Sequence, residues 1–330
     1  MPRRMKGRSA PASGVTRAPA YVRLHRSGEL ARRAAAAVDR LSACNLCPRQ
    51  CRADRIHRTV GAVCRTGARA IVSSFFAHHG EERCLSGTAG SGTIFFGFCN
   101  LHCAYCQNWD LSWNGDGDEV SGDELAGMML ALQDRGCHNV NLVSPSHVVP
   151  QLLEAVAIAA GRGLALPLVY NTGGYDGEGG LALLEGVVDV YLADLKYGDS
   201  ETARRLSRAP GYFEVARGAI REMHRQVGDL VVDDDGIARR GLLVRHLVLP
   251  NGLAGTGTAM RFLAEEVSPA TYVNIMGQYR PEYEVGQIAR DGSAARYTEI
   301  DRRPAQDELK SAYVAARRAG LWRFDQPWAA

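Results

Sequence analysis

Cys99, Cys103 and Cys106 stand in one short stretch, spaced C-x3-C-x2-C, with Tyr105 immediately before the last of them. They follow an apolar run, Thr93 to Phe98, that is rich in β-branched and aromatic residues and is preceded by Ser91-Gly92. Such a run reads as a buried strand that delivers three thiols into one loop. Three is one fewer than a structural zinc site or an electron-transfer iron–sulfur cluster takes. The set therefore borrows a distant fourth ligand or leaves one metal position open for chemistry. A second group, Cys44, Cys47, Cys51 and Cys64, is spaced C-x2-C-x3-C-x12-C and has enough thiolates to close a tetrahedron, with Pro48 and Gly61 available for turns. An auxiliary iron–sulfur cluster, a structural zinc and unmetallated thiols all fit that spacing. Cys84 and Cys137 lie outside both groups and read as ordinary small buried residues.

The first group, with its aromatic Tyr105, resembles the signature of the radical S-adenosylmethionine (radical SAM) superfamily. The wider string from Gly90-Ser91-Gly92-Thr93-Ile94-Phe95-Phe96 to Cys106-Gln107-Asn108 is similar to the branch related to pyruvate formate-lyase activating enzyme. The resemblance implies a [4Fe–4S] cluster held by Cys99, Cys103 and Cys106, with S-adenosylmethionine (SAM) on the fourth iron. It also implies a 5′-deoxyadenosyl radical that takes hydrogen from a substrate, and a low-potential electron donor of the flavodoxin or ferredoxin type.

Placing those thiols requires a scaffold, and the chain supplies alternating elements. Strand-like runs cover Thr93 to Phe98, Asn139 to Val143, Leu166 to Tyr170, Val187 to Ala193, Leu242 to Leu249 and Tyr272 to Met276. Helical patterns lie between them, among them Asp123 to Arg135 behind a Ser121 cap, Val148 to Ala160, Tyr212 to Val227 and Thr258 to Glu266. A polar hairpin is expected over Val231 to Arg240. Six βα units predict a parallel sheet short of the eight strands of a closed barrel. The fold expected is thus α/β, and the resemblance implies the partial (β/α)6 TIM-type barrel of radical SAM enzymes, here with a small Cys-rich N-terminal segment.

The expected divisions are a disordered basic tail over 1–26, a helix plus Cys-rich segment over 27–79, the barrel over 80–300, and a terminal helix and tail over 301–330. The N-terminal helix would run from Ser27, as its cap, to Leu41. The bridging segment carries His78-His79-Gly80-Glu81-Glu82. Either histidine could serve as a proton donor near the site, but adjacent histidines on an extended segment cannot both face inward, and a solvated polar loop is the expected reading.

In α/β barrels the chemistry sits at the C-terminal strand ends, which ranks the remaining polar residues. The second of the six strands ends in Ser144-Pro145-Ser146-His147, where many radical SAM proteins carry a Gly-Gly-Glu run that contacts the SAM amine. The chain departs from that pattern, so Ser144 or backbone carbonyls freed at Pro145 are the candidate contacts; His147 is a further cofactor-site candidate, or else a loop residue that caps the next helix. The third ends in Asn171-Thr172-Gly173-Gly174, offering an amide, a hydroxyl and a close backbone approach to a ligand. Asp194-Leu195-Lys196, at the end of the fourth, resembles the activating enzymes and alternates to put both charges on one face. On the fifth, Arg245 and His246 must point oppositely, and Arg245 is the one expected to line the cavity and bind a carboxylate. Gln278 is the candidate after the sixth. Asp194, Lys196 and Arg245 are the catalytic candidates.

The whole chain bounds the function further. Its 330 residues carry a formal net charge of +3, and residues 1–28 hold seven Lys/Arg and no acid. That excess is too slight to make nucleic acid an expected partner. The tail also has the composition of an organellar transit peptide, and an RNA-modifying enzyme recruited by it is a rival reading. Nothing reaches the length of apolar residues that spans a membrane. Nine cysteines with no secretory signal point to a reducing compartment, the cytoplasm. A glycyl-radical protein is one substrate class; a small molecule, a peptide or RNA is the alternative. A non-catalytic zinc–thiolate scaffold is the reading from another class.

Overall fold

The computed structural model describes residues 18–288, 292 and 294–326. Ten strands build the sheet: β1 Ala70–His78, β2 Ser91–Phe96, β3 Asp118–Val120, β4 Val140–Val143, β5 Leu168–Thr172, β6 Val190–Asp194, β7 Val231–Val232, β8 Ala238–Leu247, β9 Tyr272–Met276 and β10 Arg323–Phe324. The six expected strands are β2, β4, β5, β6, β8 and β9. They lie side by side in that order, and every neighbouring pair is parallel. The path ends at β3 on one side and β10 on the other. This is the expected partial (β/α)6 barrel.

Among the described residues the α-helices are α1 Ala20–Arg26, α2 Glu29–Asp39, α3 Arg83–Ser86, α4 Gly122–Asp134, α5 Val149–Gly161, α6 Glu178–Leu184, α7 Ser200–Ser207, α8 Tyr212–Val227, α9 Thr256–Phe262 and α10 Gln306–Ala319. Ser121 caps α4 as expected: its side chain accepts from the Glu124 N–H while the Glu124 carboxylate accepts from the Ser121 N–H. No helix among the described residues is long and apolar enough to cross a membrane.

Several expectations change. Most of the tail, residues 1–17, lies outside the described residues, but the segment from Ala20 to Arg26 is helical. It is held because Tyr21 and Leu24 bury against the domain and the Tyr21 hydroxyl donates to the Leu166 carbonyl. Ser27 does not cap α2. Its hydroxyl bonds back to Leu24, and Gly28, at φ +74°, makes the turn into the helix. The segment before the first thiol loop is largely β1, paired antiparallel to β2. The sheet therefore begins at residue 70, not 80. At the other end β10 adds a parallel strand beside β9, so residues past 301 are part of the sheet as well.

The interior follows from period-two alternation. Phe95, Val143, Asn171, Asp194 and Arg245 face the open upper end. Val169, Leu192 and Leu243, two residues earlier on their strands, pack with the fully buried Leu85 of α3. That apolar plug closes the floor and leaves the strand ends as the place where ligands enter.

Candidate active site

The C-terminal strand ends enclose a cavity of about 790 Å³, within the size range of small-molecule sites. Cys99, Cys103 and Cys106 all line it. Each sulfur has a hydrogen-bonding neighbour: the Leu101 N–H reaches Cys99 Sγ at 3.3 Å, with Asn100 Oδ1 4.0 Å from the same sulfur, the Ser207 hydroxyl reaches Cys103 Sγ at 3.0 Å, and the Ser112 hydroxyl lies 3.0 Å from Cys106 Sγ. Burial pushes the thiols of Cys99 and Cys103 up, to about 12 and about 11. Neither would carry charge unaided, and a bound metal is what converts such thiols to ligands. Donor type, convergence on one cavity and the hydrogen bonds to sulfur all fit an iron–sulfur cluster there.

A buried relay stands behind Cys103. The Tyr105 and Tyr197 hydroxyls are 2.7 Å apart, and Tyr197 is 2.6 Å from the Ser207 hydroxyl that reaches the sulfur. Tyr105, the aromatic of the motif, lines the cavity as well, and its hydroxyl is linked to Cys103 through Tyr197 and Ser207. Asp194 and Lys196 form the expected pair, Nζ to Oδ2 at 2.5 Å, and both line the cavity. Burial alone would lower the Lys196 pKa, but the Asp194 carboxylate outweighs it and holds the ammonium charged.

Ser144, Asn171, Thr172 and Gln278 also line the cavity. Ser144 sits in the left-handed region at φ +59°. The Pro145 carbonyl is not free, since it accepts from the Val148 N–H. The Thr172 hydroxyl bonds the buried Asp176 carboxylate. Gly173 lines the cavity, but Gly174 serves packing and not ligand approach, because a Cβ on it would lie 2.2 Å from the Asp194 carbonyl oxygen, at a φ of +76°. Gly174→Ala is expected to destabilise the protein by about 3 kcal/mol, from overpacking added to left-handed strain, as read by chemical denaturation.

His147 is corrected. It does not line the cavity. Its ring is buried, with Nε2 3.0 Å from the Gly97 carbonyl, and its own carbonyl accepts from Arg55. Arg245 does line the cavity, while His246 points away, its Nδ1 2.6 Å from the Leu195 carbonyl and its Nε2 2.9 Å from the Thr256 hydroxyl. The Arg245 fork is already engaged, however. It donates to Glu82 through Nε and Nη2, at 2.6 and 2.8 Å, and Nη2 also meets Glu81. Asn274 donates to the same Glu82 carboxylate at 2.8 Å. Burial would raise the Glu82 pKa, but Arg245 and Asn274 hold it below the usual range. His78 lines the cavity too, beside Glu81.

Glu81, Glu82, Asn274 and Ser207 were absent from the candidates drawn from sequence. Alternation could have found Asn274, two residues before Met276 at the end of its strand; nothing local marks the others.

Burial depresses His147 to about 3 and His246 to about 4. Both are neutral in the fold and titrate near 6.5 when unfolded. The stability tied to this is fully present above pH 6.5 and is lost as pH falls toward those values, at up to about 1.4 kcal/mol per pH unit for each histidine. Unfolding free energy measured from pH 7 to 4 should fall with that slope, and His246→Gln should flatten it.

Comparison with known proteins agrees with the thiol loop. Residues 93–233 match the family model described as the radical SAM superfamily. An uncharacterized protein of Methanocaldococcus jannaschii is 33% identical over 286 residues, covering 84% of this chain and 75% of the relative. Among solved structures, Streptococcus suis SuiB bound to S-adenosylmethionine is 13% identical over 69% of this chain and 47% of its own, with a TM-score of 0.44. The FeFe-hydrogenase maturase HydG from Carboxydothermus hydrogenoformans is 14% identical over 68% of this chain and 49% of its own, with a TM-score of 0.45. The chain spans about half the length of these two structures, and likeness at this level bears on neither substrate nor site. Through the family match, residues 93–233 are a domain of the radical SAM superfamily, whose enzymes work with a [4Fe–4S] cluster and S-adenosylmethionine.

Proposed function

We propose that Cys99, Cys103 and Cys106 hold the [4Fe–4S] cluster and that Ser144, Asn171, Asp194 and Lys196 hold SAM against it, for hydrogen abstraction from a substrate in the same cavity. The observation that carries this reading is the convergence of the three thiols and the Asp194–Lys196 pair on one cavity above an apolar floor. When bound, the two groups supply a one-electron reductive cleavage that yields a hydrogen-abstracting radical. The chain's own residues do the rest. Ser207, Ser112 and the Leu101 N–H orient the sulfurs and temper their charge. Lys196, kept charged by Asp194, offers a cation to a carboxylate ligand, and Asn171 offers a neutral amide. Glu81, Glu82 and Asn274 lock Arg245 as part of the far wall, so it is not a free carboxylate clamp.

The finer reading is an activating enzyme that takes hydrogen from a glycine Cα of a protein partner and receives electrons from a flavodoxin- or ferredoxin-type donor in a reducing cytoplasm. It is supported by the likeness of the Gly90–Phe96 string and of Asp194-Leu195-Lys196 to that branch. A small polar substrate is the second reading. The wall of Glu81, Glu82, Arg245, Asn274 and Gln278 favours it, since pre-paired polar groups make a rigid hydrogen-bonding surface.

Anaerobic reconstitution with iron and sulfide, followed by dithionite and SAM, tests the shared chemistry. 5′-Deoxyadenosine should form, and a colourless protein that leaves SAM intact would favour a zinc–thiolate scaffold. Deuterium transfer into 5′-deoxyadenosine from a Cα-deuterated glycyl protein, or from a deuterated small substrate, separates the two substrate readings.

A further inference from the structure

We infer that Cys44, Cys47, Cys51 and Cys64 hold a second iron–sulfur cluster, packed against the loop that carries Cys99, Cys103 and Cys106. Residues 44–69 contain neither helix nor strand. A stretch of that length without regular structure is uncommon inside a packed domain and needs something other than a backbone ladder to hold it. Apolar burial does not supply it. The segment forms two small knots apart from the main core, one of Leu41, Cys44 and Leu46, the other of Ala53, Ala62 and Cys64 with Cys51 against it. Both knots are built around cysteines.

The backbone beside the thiols is also constrained. Gln50 and Arg52 flank Cys51, and Arg65 follows Cys64; all three have side chains and yet adopt φ values of +44°, +53° and +50°. Conformations of this kind persist where surroundings over-determine them and cluster at functional sites. Backbone bonds draw the thiol-bearing turns together: the Cys44 N–H donates to the Ala53 carbonyl at 3.0 Å, the Arg52 N–H to the Cys44 carbonyl at 2.8 Å and the Gln50 N–H to the Cys47 carbonyl at 3.1 Å, while Cys51 packs against Cys64. Arg55 adds the charge argument. Its guanidinium is 2% exposed and donates to the Thr66 carbonyl at 2.7 Å, the His147 carbonyl at 2.8 Å and Cys44 Sγ at 3.4 Å. None of these partners is a carboxylate. A buried cation needs an anion, and a metal-bound thiolate at Cys44 provides one.

The placement of the donors favours iron over zinc. Among the described residues, no three Cys, His, Asp or Glu side chains converge so as to share a single metal ion. A tetrahedral zinc needs all four sulfurs about 2.3 Å from one point. A four-iron cluster instead takes each thiolate on a different iron and so spreads them. The Cys99, Cys103 and Cys106 set, in a superfamily built on such a cluster, likewise does not converge on a single ion.

The segment is latched to that set at three places. Arg49 Nε donates to the Asn100 carbonyl at 2.8 Å, the Arg65 guanidinium sits 6.0 Å over the Phe98 ring, and Arg55 reaches His147, whose ring meets the Gly97 carbonyl.

The test is metal content of the full chain, purified anaerobically and measured before and after reconstitution. The variant Cys99→Ala/Cys103→Ala/Cys106→Ala should keep about four iron and four sulfide, with the electron paramagnetic resonance signal of a reduced [4Fe–4S] cluster; wild type should hold about eight iron and Cys44→Ser/Cys64→Ser about four. Because the triple variant leaves the N-terminal thiols intact, misfolding of the Cys44→Ser/Cys64→Ser protein does not decide the matter. A triple variant without iron, or with about one zinc in its place, would overturn the inference. Its outcome is independent of whether Cys99, Cys103 and Cys106 bind a cluster at all.

Discussion

Cys103→Ala is expected to eliminate 5′-deoxyadenosine formation and the cluster spectrum associated with the C-x3-C-x2-C loop. Among the three thiols, Cys103 has the most elaborate support: it lies against Ser207, which continues to Tyr197 and Tyr105. Ser207→Ala keeps the ligand and removes only its hydrogen bond. Loss of such an outer partner typically lowers metal affinity or activity about 10- to 100-fold. The two variants should therefore be graded, with Ser207→Ala retaining cluster at saturating iron and Cys103→Ala retaining none on that loop. Equal, complete loss in both would show that Ser207 is needed for folding and not for tuning. Full activity in Cys103→Ala would sink the ligand assignment.

The second large effect is on stability. Arg245 is paired with Glu81 and Glu82, whose side chains are 6% and 0% exposed. Removing one partner from a buried ion cluster leaves charge uncompensated and costs about 3–5 kcal/mol. Arg245→Met should lose that much in urea denaturation. Adding Glu81→Gln and Glu82→Gln should restore most of it, because the orphaned carboxylates are then neutral. Acid should have a related effect in wild type: the Glu82 pKa is lowered in the fold, so its contribution is present above the ordinary carboxylate value and is lost as pH falls through the lower folded one. A cost below about 1 kcal/mol for Arg245→Met would mean that water reaches the cluster and screens it.

These two sites differ in how far they could be read before the fold was known. The thiol loop is local: three ligands fall within eight positions, after a strand whose apolar run is equally local, so spacing alone points to the chemistry. The same holds for the six parallel strands, whose runs bury on both faces, and for the capping box at Ser121. Period-two alternation also separated Arg245 from His246 and joined Asp194 to Lys196. It works because a strand's side-chain directions follow from the backbone.

What lay beyond reach depends on contacts between distant segments. The sequence contains Glu81 and Glu82 as an acidic pair in a polar stretch, and only the antiparallel return of β1 beside β2 brings them under Arg245. His147 has the composition of a site residue, but the turn after β4 aims its ring at Gly97. Gly174 reads as a ligand-facing glycine and is required by the Asp194 carbonyl instead. The chain by itself determined the donor atoms, their order and the number of βα units, since these follow from local spacing and periodicity. The tertiary structure decided which charges are neutralised, which strand ends share a cavity and which polar groups are already spoken for, because those depend on packing between residues far apart in the chain.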